Sequence, residues 1–447
     1  MKTLPNGPQT LPLLQLASWL RDPLRSMETA ASQFGGCFTL RWSGLKTLVM
    51  VSDPEALQIM LTSPALTAPG EANALARPLL GDRSLILLSG MQHQQRRKLL
   101  MPPFHGERLF SYGQLIRKIT RQVSAAWQPQ QPFLVREAMQ EITLRVILQA
   151  VFGLNEGDRL EQLKRDLVTR LDMTSAGLGS LFIFLPSLQR DWGAWSPWGR
   201  VMQQQRACDR LIYEEIRDRR ANPDPDRIDI LNLLLTAKDE DGQQLTDVDL
   251  RDELMTLLFA GHETTATALT WALYWVHRYP EIYAKLIQEI ESLGDNPDPL
   301  ALFKLPYLTA VCNETLRIYP VGMLTFSRVV QSPVEIGGCM LTPGTEVIGS
   351  IYLTHHREDL YPNPKQFRPE RFLERQYSPY EFLPFGGGSR RCLGMALAQF
   401  EMKLVLATLL QDLKLRLTDA NLTLQPVRRG ALLAPEASFA MIKTGDR

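Results

Sequence analysis

The sequence predicts a mainly α fold with a small β region, built as one large domain over residues 1–447. Three observations carry this. The longest periodic segment, Thr246 to about Tyr279, is helical and apolar on most of its circumference, so it runs through a core rather than along a surface. No linker-like composition shift and no internal repeat divides the chain. Strand-like segments are few and short.

Taken in order, the opening stretch to Pro23 is punctuated by Pro5, Pro8 and Pro12 and reads as an extended lead-in. Leu40 to Val51 alternates around a Ser-Gly turn and reads as a β-hairpin. Asp53 is a plausible cap for a helix from Pro54 to Leu61. From Gln92 to Leu235 the periodic segments are mostly helical, with breaks at Pro102–Pro103, Pro129–Pro132, Gly177–Pro197 and Asn222–Asp226. Thr246 can cap the long helix, with Asp249 at the third position as a variant of the capping box, and Pro280 stops it. At ~1.5 Å per residue such a helix spans ~50 Å, enough to cross a whole domain. Leu254, Met255, Leu257, Leu258, Phe259, Leu269, Trp271, Leu273 and Trp275 leave it almost no polar face. A helix follows from Pro306 to Ile318, then short strands at Ser327–Ile336 and Glu346–Ser350. An irregular proline-rich stretch covers Tyr361–Pro384, and a glycine-rich turn opens a last helix from Cys392 to Leu413.

Composition narrows the class. Hydrophobic residues make up 45% and charged residues 22%, the ordinary globular balance, which excludes a disordered or fibrous chain. With 49 basic and 48 acidic residues the net charge is +1, which gives no support to a nucleic-acid binder. Cys37, Cys208, Cys312, Cys339 and Cys392 are odd in number, widely spaced and without a CxxC, so neither a disulfide framework nor a structural zinc site is expected and a reducing cytoplasm fits. No apolar run reaches the ~18 residues of a membrane span, and the first residues lack a signal-peptide core. The expectation is a soluble, cytoplasmic protein with no transmembrane segment, peripheral contact with a membrane being left open.

Three motifs carry chemistry. In Phe385-Gly-Gly-Gly-Ser-Arg390-Arg-Cys392-Leu-Gly394, three successive glycines let the backbone approach a bound group. The cysteine stands where a helix dipole favours a thiolate, which makes it an iron ligand or a nucleophile. A phosphate loop is the rival, but GK[ST] is absent. In Ala260-Gly-His-Glu-Thr-Thr265, Gly261 weakens the long helix and Thr264 can bond the carbonyl four residues back, so a local bulge or kink is expected. A buried Glu263 needs a partner or a task. The His262-Glu263 pair begins the zinc-protease pattern His-Glu-x-x-His, but Ala266 stands where the second ligand would be. Glu314 and Arg317 share one helix face.

Phe385, Gly388, Arg390, Cys392 and Gly394 match in order and spacing the haem-binding signature of the cytochrome P-450 family, and the chain resembles that family along nearly its whole length. The resemblance implies the triangular, mostly α fold, with haem between the Thr246–Tyr279 helix and the Cys392–Leu413 helix. It implies haem b (iron protoporphyrin IX) as cofactor, Cys392 as its metal ligand, Phe385 under the ring near the sulfur, and Gly394 among the cofactor-binding residues. Arg390 would meet a haem propionate, and Arg328 the other. In the basic cluster Gln92–Lys98, Arg97 matches a further propionate ligand, and His93 stands where the family commonly has tryptophan. Ala260–Thr265 resembles the oxygen-activation motif, with Thr264 hydrogen-bonding dioxygen and Glu263 helping to deliver protons through water. Glu314, Arg317 and Arg371, from Pro369-Glu-Arg-Phe372, are implied to form a buried structural network, and His355–His356 reads as structural.

The implied activity is a haem-thiolate monooxygenase that inserts one oxygen atom from O2 into a C–H or C=C bond of an apolar small molecule: a fatty acid, an alkane or a terpenoid. The alternatives are a haem-thiolate peroxygenase or isomerase that does not need O2, which tends to lose the acid–alcohol pair kept here, and a non-enzymatic haem sensor or carrier. Only 55 residues follow Cys392, too few for a fused reductase, so an external ferredoxin-type electron donor is expected, acting on a monomer. Pocket walls are expected from Leu66–Leu88, Leu178–Trp198, the 259–264 turn, Val321–Phe326 and Ala431–Leu433, with Leu85, Phe259, Ala260, Met323, Leu324 and Leu432 as candidates. Arg96, Lys98, Arg391 and Lys403 are expected to form a free positive patch that steers an acidic ferredoxin to the thiolate side.

Overall fold

The computed structural model describes residues 4–42, 47–153, 157, 161–167, 169, 189–240 and 242–447. Its centre is the helix Asp247–Arg278. The Thr246 hydroxyl accepts from the Asp249 N–H, and the Asp249 carboxylate accepts from the Thr246 N–H, so the expected capping box is present. Pro280 does not simply stop this helix: it opens the next one, Pro280–Glu291, because proline is preorganised for a first helical position.

Around the central helix pack Val135–Phe152, Pro306–Ile318 and Met395–Asp412, and Gly106–Ala125 packs on the first and last of these, all in one main core. Trp271 is fully buried there, and Trp275 stacks on Tyr279 and Phe367. The central helix runs unbroken, and the bulge expected at Gly261 is not formed. Gly261 is small for another reason: a Cβ there would lie 2.9 Å from Cδ1 of Ile147, so the glycine permits the close crossing of the Val135–Phe152 helix.

The strands in chain order are β1 (Cys37–Arg41), β2 (Thr47–Val51), β3 (Leu66–Thr67), β4 (Pro132–Leu134), β5 (Arg328–Val330), β6 (Val334–Ile336), β7 (Cys339–Leu341), β8 (Glu346–Gly349), β9 (Leu413–Leu417), β10 (Pro426–Arg429), β11 (Leu432–Pro435) and β12 (Ala440–Asp446). One sheet has the order β1-β2-β8-β5-β3 and contains the expected hairpin, paired antiparallel from Cys37–Val51 to Arg41–Thr47. The turn at 43–46 lies outside the described residues, as does the part of the Leu178–Trp198 wall up to 188.

Asp53 caps the helix Pro54–Thr62 by accepting from the Glu55 and Ala56 N–H groups, as expected. The lead-in is different. Pro12 takes the first position of the helix Pro12–Arg21 instead of extending the chain. The last long helix begins at Met395, with Gly394 at its cap, so Cys392 stands just before it. The C-terminal strands β9 to β12 were not expected, although Leu413, Leu415 and Leu417 alternate in the buried positions of β9 with a period of two.

Candidate haem-thiolate site

The loop between Phe385 and Gly394 is built by its glycines. Gly386 and Gly388 both have φ of 65°, a left-handed conformation that side chains rarely adopt. A Cβ on Gly388 would also lie 2.5 Å from the Leu61 carbonyl oxygen. The loop closes where the Cys392 N–H donates to the Phe385 carbonyl at 3.0 Å. Cys392 is solvent-accessible, yet its thiol lies deep among protein atoms. Burial therefore pushes its pKa up, opposed by the Gly394 N–H and by the charges of Arg97 and Arg391. Those three groups favour the thiolate.

A cationic cluster lies nearby. His93 is buried, and burial together with Arg390, Arg97 and Arg328 lowers its pKa to about 4, so the ring is neutral at pH 7. Burial lowers Arg390 to about 10, helped by Arg97 and opposed by Glu71. Arg328 is likewise lowered to about 10, by burial and then by Arg390. Arg390 donates to the carbonyls of Ala68, Leu85 and Leu88. Arg328 donates to those of Phe326, Ser327 and Gly387. Guanidinium groups gathered against their own repulsion suit carboxylate partners. A thiol backed by an N–H donor on one side and a cationic cluster on the other fit haem b, which offers a metal to the first and two propionates to the second.

On the central helix, the Thr264 hydroxyl donates to the Ala260 carbonyl at 2.6 Å. Thr264 is half-buried, Glu263 buried and Ala260 exposed. The Glu263 carboxylate accepts from Nη2 of Arg136 at 2.8 and 3.1 Å and from Nε2 of Gln140 at 2.8 Å. Neither partner carried a sequence signal, since both are more than a hundred residues away. Next to it, the His262 ring meets the Thr143 hydroxyl at 3.1 Å.

Glu314, Arg317 and Arg371 come together as one buried network. Arg317 makes paired bonds to Glu314 at 2.6 and 2.9 Å, and Arg371 joins at 3.1 Å. Arg317 also donates to the His355 carbonyl, while His355 Nε2 accepts from the Leu383 N–H at 3.0 Å. Sequence reasoning missed this link from the network to the loop that carries Cys392.

The pocket candidates fall into three clusters. Leu85 is buried in the main core, and Phe259, on the central helix, packs against Leu79, Leu80 and Trp198. Met323 and Leu324 belong to a separate cluster with Met27 and Leu433. Leu432 comes beside them because Gly322 bridges to it.

The free positive patch is not formed as expected. Arg96 is drawn inward to Asp249 and Glu253 at 2.6 and 2.9 Å. Lys403 is buried, donating to the Phe303 carbonyl and lying over its ring. Lys98 pairs with Glu240 in solvent, and Arg391 remains exposed. Long side chains near a surface are pulled in wherever a buried carboxylate or carbonyl needs a donor.

Among the described residues no helix is long and apolar enough to cross a membrane. A family model described as Cytochrome P-450 matches residues 5–441. The chain is 39% identical over 420 residues to cytochrome P-450 135B1 of Mycobacterium tuberculosis, covering 94% of this chain and 87% of that protein. It is 35% identical over 390 residues to cytochrome P-450 138 of Mycobacterium bovis, covering 87% and 84%. Among solved structures, retinoic acid-bound cyanobacterial CYP120A1 superposes with a TM-score of 0.85 at 27% identity, covering 100% of both chains. The haem domain of cytochrome P-450DA gives the same TM-score at 24% identity, covering 99% and 98%.

Proposed function

The chain belongs to the cytochrome P-450 family, and from that premise we propose that it is a monooxygenase of an apolar, terpenoid- or fatty-acid-like substrate, reduced by a ferredoxin-type donor. The observation that carries the reading is Cys392, whose sulfur is backed by the Gly394 N–H and by Arg97 within the glycine loop. Haem b, when bound, would supply the oxidising chemistry, in which dioxygen, two electrons and two protons put one oxygen atom into the substrate and release the other as water.

The chain's own residues do the rest. Cys392 would hold the metal as thiolate. Arg97, Arg328 and Arg390 would orient the propionates by charge-assisted bonds. Thr264 Oγ1, bonded to the Ala260 carbonyl, keeps its lone pairs free to accept a proton donor's hydrogen bond. Glu263 holds its carboxylate turned to Arg136 and Gln140 and can carry a proton to Thr264 through water only by exchanging those bonds. Leu85, Phe259, Met323, Leu324 and Leu432 supply apolar walls. The retinoic acid of the cyanobacterial neighbour supports the terpenoid arm. Five widely spaced cysteines without a CxxC support a reducing, cytoplasmic setting, and a monomer is part of the same proposal.

Reduced protein with carbon monoxide should show the thiolate-haem band, and Cys392→His should abolish it. Survival of the band in that variant, with its loss on removal of Cys37, Cys208, Cys312 or Cys339, overturns the assignment. In the same preparations Thr264→Ala should keep haem and divert reducing equivalents to peroxide. Unchanged product per NAD(P)H sinks that role. A Soret-shift screen of retinoic acid, a fatty acid and an alkane decides the substrate class.

A further inference from the structure

Arg251, Asp252 and Glu253 are three consecutive charged residues near the start of the central helix, and all are buried. Charges so placed are costly unless each is fully bonded. Their partners lie on the segment Leu80–Leu88, which crosses the helix there. Asp252 accepts from the Arg83 N–H at 2.8 Å. Glu253 accepts from the Leu85 N–H at 3.2 Å, and Thr256 meets the Ser84 hydroxyl at 2.7 Å. Arg251 donates to the Leu80 carbonyl at 3.2 Å and to Asp252 at 2.7 Å, while Asp209 neutralises its other face. Arg96 bridges Glu253 and the Arg83 carbonyl at 2.9 and 3.2 Å.

The segment is shaped for this. Gly81 has φ of 90°, and a Cβ there would lie 2.1 Å from the Asp252 carboxylate. From the other side, Arg390 holds the Leu85 carbonyl at 3.0 Å. Leu85 is thus pinned through both its N–H and its C=O. Side chains supply these bonds, so the segment needs no strand or long helix to stay in place.

We infer that Arg251, Asp252, Glu253 and Thr256, with Arg96, form a polar latch that fixes Leu80–Leu88 as a rigid wall of the substrate pocket and so sets which ligands the pocket admits. These are positioning residues: they act through Leu85 and do not touch the ligand. The specificity role rests on the haem-thiolate reading of the site. The latch itself does not. A wall held by directed bonds excludes bulk that a loose segment would accommodate by moving.

The test uses full-length holoprotein as wild type, Asp252→Asn and Thr256→Val, with Gly81→Ala as an approach from the loop side. Asp252→Asn keeps the shape but removes one of two acceptors, and Thr256→Val removes a hydroxyl without changing volume. Amide exchange of peptides spanning 80–88 should rise by about tenfold in Asp252→Asn, the equivalent of one buried bond to a charged group. The affinity of 4-phenylimidazole relative to imidazole, read from the Soret band, should rise by a similar factor of about ten, because the bulky probe gains most from a loosened wall. Thr256→Val and Gly81→Ala should move both readouts in the same direction. Unchanged exchange in all three variants overturns the latch. Raised exchange with an unchanged azole ratio overturns the specificity role. A wild type without the thiolate carbon monoxide band overturns the haem reading and the specificity role with it, while the exchange measurement still decides the latch.

Discussion

His262 shows how far a single residue was legible. Its place in Ala260–Thr265 was readable from spacing, but its surroundings were not. Burial, with the charge of Arg136, lowers its pKa from 6.5 to about 4. The unfolded chain therefore takes up this proton first as pH falls. The contribution to stability is complete above pH 6.5, is lost progressively as pH falls from there, and is gone once pH has dropped through about 4, on the order of 3 kcal/mol in all. Between pH 7 and pH 4.5 the wild type should lose about 2–3 kcal/mol more stability than His262→Gln, measured from guanidinium midpoints. Buried carboxyls such as Glu253 and Glu401 shift the opposite way, but they are common to both proteins and cancel in the comparison. Equal losses would show that His262 does not titrate in this window. The residues that stood in fixed local spacing, Cys392, Thr264 and Glu314 among them, were legible as motifs. Arg136, Gln140 and Arg96 were not, because their partners are reached only when distant helices cross.

At the scale of elements, the network of Glu314, Arg317 and Arg371 joins the helix Pro306–Ile318 to the segment before the thiolate loop. Glu314 and Arg317 are wholly buried, and Glu314 also accepts from the Arg368 N–H at 2.8 Å. Removing one member strands the others. Glu314→Ala or Arg317→Ala should cost about 3–5 kcal/mol and yield little soluble holoprotein. Because His355 carries the connection on to Leu383, any protein recovered should also release haem faster, as followed by transfer to apomyoglobin. A well-folded, haem-loaded variant with a selective turnover defect would contradict this structural role. Elements with strong local signals were readable in advance: the Thr246 capping box, the Asp53 cap and the helix Pro306–Ile318, whose bounds agree residue for residue. The strands β4 and β10 to β12 were not. β4, β10 and β11 are short, and β4 and β9 owe their pairing to β12, which lies far from β4 in sequence. Prolines act at both ends: the long helix does end before Pro280, as expected, but Pro280 also opens the next helix, and Pro12 begins a helix where an extended lead-in was expected.

For the whole molecule, a net charge of +1 says nothing about where charge is displayed, and the fold decides that. Two of the four cations expected on the thiolate side turn inward, so a test that reverses Arg96 would break its bonds to Asp249 and Glu253 and report on folding rather than docking. Arg391 and Lys98 are the members of that set left at the surface. Arg391 follows directly on the haem loop, and Lys98 shares an exposed pair with Glu240 of the kind that contributes little and exchanges readily. An acidic ferredoxin would meet Arg391, whose charge reaches the Cys392 thiol, on the side where the electron path is shortest, with Lys98 as a second exposed cation. Arg391→Glu together with Lys98→Glu should therefore slow reduction by a ferredoxin and flatten its salt dependence. Azole binding should stay as in wild type in Lys98→Glu alone, because Lys98 pairs only with Glu240, and that single variant separates docking from the loss of the Arg391 charge that favours the Cys392 thiolate. Stopped-flow reduction at low ionic strength is the measurement, since screening is weakest there. Rates equal to wild type under those conditions would move the docking surface away from the thiolate side, to a face that these charges do not reach.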